Sequence, residues 1–94
     1  MITSKQRAYL RGLANTINAL HQIGKDGISD ATLKMLSDAL DANALIKVSV
    51  LETAPYNVRE AAREAANALS AECVQTIGRR FVLYRESENS PHLL

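Results

Sequence analysis

The sequence predicts a two-layer α/β domain with the element order α-β-α-β-α-β-β and a four-stranded mixed sheet. Helical and strand-like hydrophobic periods alternate along most of the 94-residue chain, which is the pattern of β-α-β units with parallel strands. Two strand-like runs then follow each other across Gly78-Arg79, which predicts an antiparallel hairpin. Because the last run is apolar on both faces, it belongs in the middle of a sheet. The predicted strand order is therefore 1-2-4-3.

The first helix is predicted to run from residue 4 to residue 16 or 17. Thr3 and Gln6 form a Thr-x-x-Gln capping box at its start, and apolar residues recur along one side of it. Tyr9 lies in this apolar arc and is expected in the core, as is Tyr84 near the end of the domain. A short strand is predicted at residues 20–23.

The second helix is predicted to begin after Ser29, a good N-cap residue. Ile28 and Leu33 are placed to form a hydrophobic staple, which would fix how the chain enters the helix. Asn43 is predicted to end this helix in the left-handed conformation. Alternating apolar and polar residues then predict a strand at residues 45–51.

A second capping box, formed by Asn57 and Glu60, predicts a third helix that runs to about residue 70. Its predicted buried stripe consists largely of alanines, whose small side chains allow close packing on a sheet. The strands of the closing hairpin are predicted at residues 73–77 and 80–85. Residues 86–94 lack periodicity and are expected to form a flexible tail, so residues 1–85 make up the domain.

The composition indicates one globular domain, since 47% of the residues are apolar. Cys73 is the single cysteine, which excludes an internal disulfide and a multi-cysteine metal site and favours a reducing compartment. The longest uncharged stretch, residues 12–24, is too short and too polar to span a bilayer. No signal-peptide pattern follows the first cations. These features predict a soluble cytoplasmic protein without a membrane partner.

Charge is unevenly distributed, although the net charge is only +1. Residues 1–25 contain four cations and no acid, whereas residues 26–78 contain eight acids and four cations. Arg79, Arg80 and Arg85 form a second cationic region. If the fold brings the two cationic regions together, they form one basic face.

The tetrapeptide Gly24-Lys25-Asp26-Gly27 lies between the first strand and the second helix. Glycines lack the Cβ atoms that would hold a ribose-phosphate chain away, and the N–H groups at the start of the next helix favour anions. Lys25 adds a full positive charge. Asp26 would repel phosphate unless it faces solvent or accepts hydrogen bonds from the loop. The simpler alternative is a strand-to-helix turn that needs glycine only for its dihedral angles.

Four segments of the chain resemble, in order, the YhbY family, the bacterial stand-alone form of the CRM (chloroplast splicing and ribosome maturation) domain. The resemblance implies an RNA-binding protein that associates with precursors of the large ribosomal subunit. It also implies a fold similar to the carboxy-terminal domain of bacterial initiation factor three and a glycine loop like that of KH domains. The matching segments are residues 4–14, 22–28, 45–48 and 74–85.

On the positions that match the family, Gly24, Lys25 and Gly27 inherit the RNA contact, and Arg11 and Arg79 match recurrent basic positions. Because aromatic side chains are scarce, we expect structured ribosomal RNA, recognised by its shape and phosphates, rather than unpaired bases. The alternative for the helix and hairpin cations is that they only keep the surface soluble. The complete set of predicted RNA-binding residues is Lys5, Arg7, Arg11, Gly24, Lys25, Asp26, Gly27, Arg79 and Arg80.

Catalysis is not predicted, because no nucleophile, base and acid stand in a telling arrangement and His21 and His92 are isolated. No cofactor, metal or small-molecule substrate is expected. An enzyme that binds a nucleotide phosphate is a distant alternative, since the loop lacks the Gly-x-x-x-x-Gly-Lys-Ser/Thr pattern. The stronger alternative is a protein-interaction module whose partner docks on the sheet face or on the alanine-rich helix.

Overall fold

The structure, a computed structural model, describes residues 2–86 and 93–94. The sheet has the order β1-β2-β4-β3, in which β1 and β2 are parallel and β4 is antiparallel to both of its neighbours. The predicted order of elements and of strands is therefore confirmed. The elements are α1 (Ser4–Ala14), β1 (Ala19–Ile23), α2 (Asp30–Asn43), β2 (Leu45–Val50), α3 (Val58–Leu69), β3 (Glu72–Ile77) and β4 (Arg80–Tyr84).

The starts of the helices are fixed by side chains that the sequence identifies. Thr3 and Gln6 exchange hydrogen bonds in a complete capping box at α1, and Asn57 and Glu60 do the same at α3. Ser29 caps α2 by accepting a hydrogen bond from a backbone N–H of the first turn. Each cap satisfies a donor that would otherwise have no partner within its helix.

The helix ends differ from the prediction at two places. Helix α1 ends at Ala14, two or three residues early. Asn43 is not the left-handed terminator of α2: it stays helical and donates a side-chain hydrogen bond to Ala39 O, 3.1 Å away. Ala44 takes the positive φ of 66° instead. Ala44 is fully buried in the core cluster that contains Leu10 and Ala14 of α1, so the residue with the positive φ is part of the core rather than of an exposed turn.

Helices cover both faces of the sheet. Phe81 and Leu83 of β4 pack with α2 and α3 in the larger core cluster, whereas Val82 and Tyr84 pack with α1 in a smaller one. This alternation confirms that β4 is apolar on both faces and explains its central position. The predicted two layers therefore gain a partial third layer, formed by α1.

The packing tests the predicted burial of the two tyrosines. Tyr9, predicted to be buried, is 53% exposed, because Leu10 takes the central core position of α1 and Tyr9 lies at the margin of the apolar arc. Tyr84 is buried as expected. Most of the predicted tail, residues 87–92, lies outside the described residues, and Leu93 packs against the α1 cluster.

Candidate nucleic-acid interface

Three connections meet at one end of the sheet, which we call the loop end: residues 24–27, residues 51–57 and the hairpin tip 78–79. The topology requires this meeting, because parallel β1 and β2 finish where antiparallel β4 begins. Leu51 N donates to Ile23 O at 2.9 Å, and Val50 N donates to Arg79 O at 2.7 Å. The glycine loop and the arginine hairpin are thus linked through the end of β2.

The glycine loop is a tight turn closed by its own backbone. Gly27 N donates to Gly24 O at 3.0 Å, which leaves Lys25 and Asp26 exposed at the tip. Neither of these two side chains makes a hydrogen bond or an ion pair within the described part of the chain. Asp30 occupies the first turn of α2 and offsets part of the positive field there, so Lys25 is the main cationic group of the loop.

The structure constrains the two glycine positions of the loop to different degrees. Gly27 is buried with a φ of 65°, and a Cβ at this position would lie 2.9 Å from Tyr56 Oη and 3.2 Å from Pro55 Cγ. Tyr56 Oη in turn accepts a hydrogen bond from Ile28 N at 2.6 Å. The fold itself therefore requires glycine at position 27, as the simpler reading of the turn supposes.

Gly24 is not required in this way. A Cβ at position 24 would lie 3.6 Å from Leu51 Cδ1 and 3.8 Å from Thr53 Oγ1, which are ordinary contacts, and its φ is not positive. Gly24 is half-buried, and neither packing nor its backbone angle explains why glycine occupies this position.

The hairpin arginines are both exposed but differently held. Arg79 Nε donates to Val50 O at 3.1 Å, which orients its guanidinium beside the end of β2. Arg80 makes no hydrogen bond or ion pair within the described residues. A partly oriented guanidinium retains donors in the fixed geometry that suits phosphate oxygens.

The cations of α1 are spread along the helix. Arg7 donates to Cys73 O and, at 3.3 Å, to Val74 O, and it lies 3.9 Å from Glu72 Oε2, so it is committed to β3. Lys5 borders a depression with Leu93 at the end of the molecule opposite the loop end. Arg11 is exposed in the last turn of α1, on the side towards the loop end. The structure brings together the glycine loop and the hairpin arginines. Among the α1 cations, Arg11 lies nearest to the loop end along the helix.

A groove that the sequence reasoning missed runs from the loop end onto the sheet. We call it the sheet groove. Its lining residues share the face that α1 only partly covers. Lys47 could have indicated the groove from the sequence, because it interrupts an apolar strand on the side opposite Ile46 and Val48. The sheet groove is lined by Gln22, Lys47, Ser49, Leu51, Ile77 and Arg80, together with Asn15, Val50, Glu52, Gly78 and Arg79.

The alanine stripe of helix α3 packs against the protein's own sheet. Ala61, Ala62, Ala65 and Ala66 of α3 are buried in the larger core cluster against the protein's own sheet. A partner on this helix would therefore have to contact its exposed side rather than the alanine stripe.

Other reactive groups do not assemble into a site in the described residues. Residues 2–86 and 93–94 contain no cluster of metal-ligating side chains. Burial raises the pKa of the half-buried Cys73 thiol, which keeps it protonated at neutral pH and makes it a poor nucleophile. Over the same residues, every helix is too short or too polar for a membrane span.

The fold and the loop end define a class of small α/β domains that carry a glycine turn between the first strand of a mixed sheet and the helix that follows. The model of the CRS1/YhbY (CRM) domain matches residues 2–85, and the chain belongs to this family. The family resemblance noted in the sequence is therefore confirmed.

Relatives of the chain carry descriptions that concern RNA. The chain is 37% identical over 93 residues to the probable RNA-binding protein YqeI of Bacillus subtilis, covering 99% of this chain and 97% of YqeI. It is 36% identical over 93 residues to an RNA-binding protein of Haemophilus influenzae, covering 95% and 90% of the two chains. A solution structure from Staphylococcus aureus, described as a candidate RNA-binding protein, is similar with a TM-score of 0.79, 43% identity and coverage of 94% and 92%.

Proposed function

We propose that the protein binds RNA at the loop end and acts without catalysis. The observation that carries the proposal is the meeting of an open glycine turn with exposed cations: Gly24 leaves room for a backbone, while Lys25 and Arg79 supply charge. Family membership and the RNA-binding descriptions of the relatives support the choice of ligand.

Phosphate contacts provide most of the binding energy in this proposal. A ribose-phosphate chain approaches Gly24, Lys25 forms an ion pair at the turn, and Arg79 binds a neighbouring phosphate with the N–H groups that its bond to Val50 leaves available. Asp26 faces solvent. The local cluster matters here because a net charge of +1 gives little general attraction for RNA.

The RNA we propose is structured ribosomal RNA in precursors of the large subunit, where the protein would hold a conformation during assembly. This part rests on the resemblance to the YhbY family. Crosslinking in cells tests it: bound fragments should concentrate at sites in large-subunit precursor RNA. Fragments spread evenly over messenger and transfer RNA would refute the ribosomal assignment while leaving RNA binding itself intact.

Salt dependence tests the phosphate mechanism directly. With about four neutralised phosphates, the logarithm of the association constant should fall against the logarithm of salt concentration with a slope of roughly −3. Fluorescence anisotropy of a labelled ribosomal RNA fragment measures this slope. An affinity that barely responds to salt would contradict binding through phosphates.

A further inference from the structure

One row of the sheet groove crosses all four strands. Gln22 of β1 pairs with Ser49 of β2, Ser49 pairs with Arg80 of β4, and Arg80 pairs with Ile77 of β3. Directly paired residues of neighbouring strands project to the same face of a sheet. With three steps of about 4.8 Å, the row is about 14 Å long. We call it the four-strand row.

The face that carries this row is covered by α1 only further along the strands. Val82, in the next row of that face, is buried against α1, whereas Arg80 is exposed. Ile77 is 57% exposed, and Leu51 at the loop end of the groove is 38% exposed. These two apolar side chains beside cationic ones suit a ligand that presents apolar faces as well as charge.

The groove is continuous with the glycine loop. Leu51 lines the groove, and its Cδ1 atom lies 3.6 Å from the position that a Cβ of Gly24 would occupy. Lys47, Arg79 and Arg80 line the groove, and Glu52 is the one acid among its lining residues. A polyanion held at Gly24 can therefore extend over Leu51 into an electropositive channel.

We infer that the four-strand row binds a short unpaired stretch of the RNA whose phosphates the glycine loop contacts. The inference rests on the proposed function and deepens it. In a duplex, base faces are stacked away, so Ile77 and the plane of the Arg80 guanidinium would find only phosphates and ribose hydroxyls. An unpaired base offers a face to both side chains and edges to the Gln22 amide and the Ser49 hydroxyl. The row therefore selects a single-stranded segment beside a structured one.

The experiment compares a blunt RNA hairpin with the same hairpin carrying a short unpaired 3′ or 5′ extension. The extended RNA of the preferred polarity should bind the wild-type protein about 3- to 10-fold more tightly, the effect expected from burying one exposed apolar side chain against a base. Ile77→Thr keeps a β-branched residue and every charge, and it should abolish this gain while leaving the blunt hairpin affinity unchanged.

Leu20→Thr is the matched control, because Leu20 is 79% exposed on the same sheet but is not part of the groove lining. This variant should retain the full gain. Amide NMR shifts of Gln22 and Ser49 should move only with the extended RNA. The inference is overturned if neither extension adds affinity in the wild type, if Ile77→Thr weakens both RNAs alike, or if Leu20→Thr loses the gain. Failure of both RNAs to bind at all would instead refute the proposed function, and this inference with it.

Discussion

Replacing Gly27 with alanine should destabilise the fold far more than replacing Gly24. At position 27 the left-handed backbone costs a residue with a Cβ about 1–2 kcal/mol. The new methyl group would lie 2.9 Å from Tyr56 Oη, so the ring must move and weaken its 2.6 Å hydrogen bond with Ile28 N. Losing that bond adds about 0.5–1.5 kcal/mol. We therefore expect Gly27→Ala to lower the unfolding free energy by about 1.5–3.5 kcal/mol.

The size of this effect makes it easy to measure. For a domain of this length, about 1 kcal/mol shifts the melting temperature by about 4–8 °C, so Gly27→Ala should melt about 10–20 °C lower. Urea denaturation followed by circular dichroism gives the free energy independently. Gly24→Ala is the matched control, since its methyl group makes only ordinary contacts, and its stability should stay within about 0.5 kcal/mol of the wild type.

The same pair separates folding from function. Gly24→Ala should weaken RNA binding although the protein is intact, because its Cβ stands where the ribose-phosphate chain approaches. Equal stability of Gly27→Ala and wild type would refute the packing argument for position 27. Unchanged RNA affinity of Gly24→Ala would refute the proposed close approach at position 24.

Three further outcomes follow from contacts in the structure. Tyr56→Phe removes the acceptor of Ile28 N and should cost about 1 kcal/mol. Burial raises the pKa of Tyr56 above the ordinary tyrosine value of about 10. The protonated phenol therefore stabilises the fold at pH values below about 10, and this contribution is lost as the pH rises through the raised pKa. The melting temperature of the variant should thus depend less on alkaline pH than that of the wild type. Arg85→Met removes four hydrogen bonds that join α2, α3 and the end of β4, and should cost about 2–4 kcal/mol in urea denaturation. Lys25→Glu should weaken RNA binding roughly tenfold at low salt in anisotropy, whereas the same charge change at exposed Lys34 should not.

Each of these outcomes has a contrary result. If the melting temperature of Tyr56→Phe depended on alkaline pH as strongly as that of the wild type, ionisation of the Tyr56 phenol would not contribute to the stability of the fold. Wild-type stability of Arg85→Met would mean that the four bonds only replace equally good bonds to water. Equal loss of affinity in Lys25→Glu and Lys34→Glu would reveal general electrostatics instead of a local contact.

The element order could be predicted from the sequence because its signals are local. Capping boxes at Thr3 and Asn57 act within one helical turn, and the two-faced apolar pattern of β4 requires a central strand. The end of α2 could not be predicted, because the positive φ falls on Ala44, whose place in the core depends on residues distant in sequence. The position of Tyr9 also differs from the prediction, because the neighbouring Leu10 occupies the buried position of α1 and the sequence pattern does not decide between the two.

The candidate site was predictable where it is continuous in sequence. The turn from Gly24 to Gly27 stands out by residue type, but the sequence does not reveal that Tyr56 already explains Gly27. The sheet groove depends on which residues pair across strands and on how far α1 extends, and both are long-range properties. Arg7, included among the predicted RNA contacts by its charge, makes its hydrogen bonds to β3, a partner 66 residues away in the chain.

The hydrogen bonds of Arg7 have a consequence for how the protein behaves in a concentrated solution. Strand β3 stands at the border of the sheet, where carbonyl groups invite strand addition from another molecule. The register shift between Cys73 and Gln75 interrupts the regular ladder, and Arg7 occupies the oxygens of Cys73 and Val74 there. A foreign strand that pairs along this stretch of β3 would have to compete with Arg7 for these oxygens, so we expect this part of the border to be a poor site for strand addition.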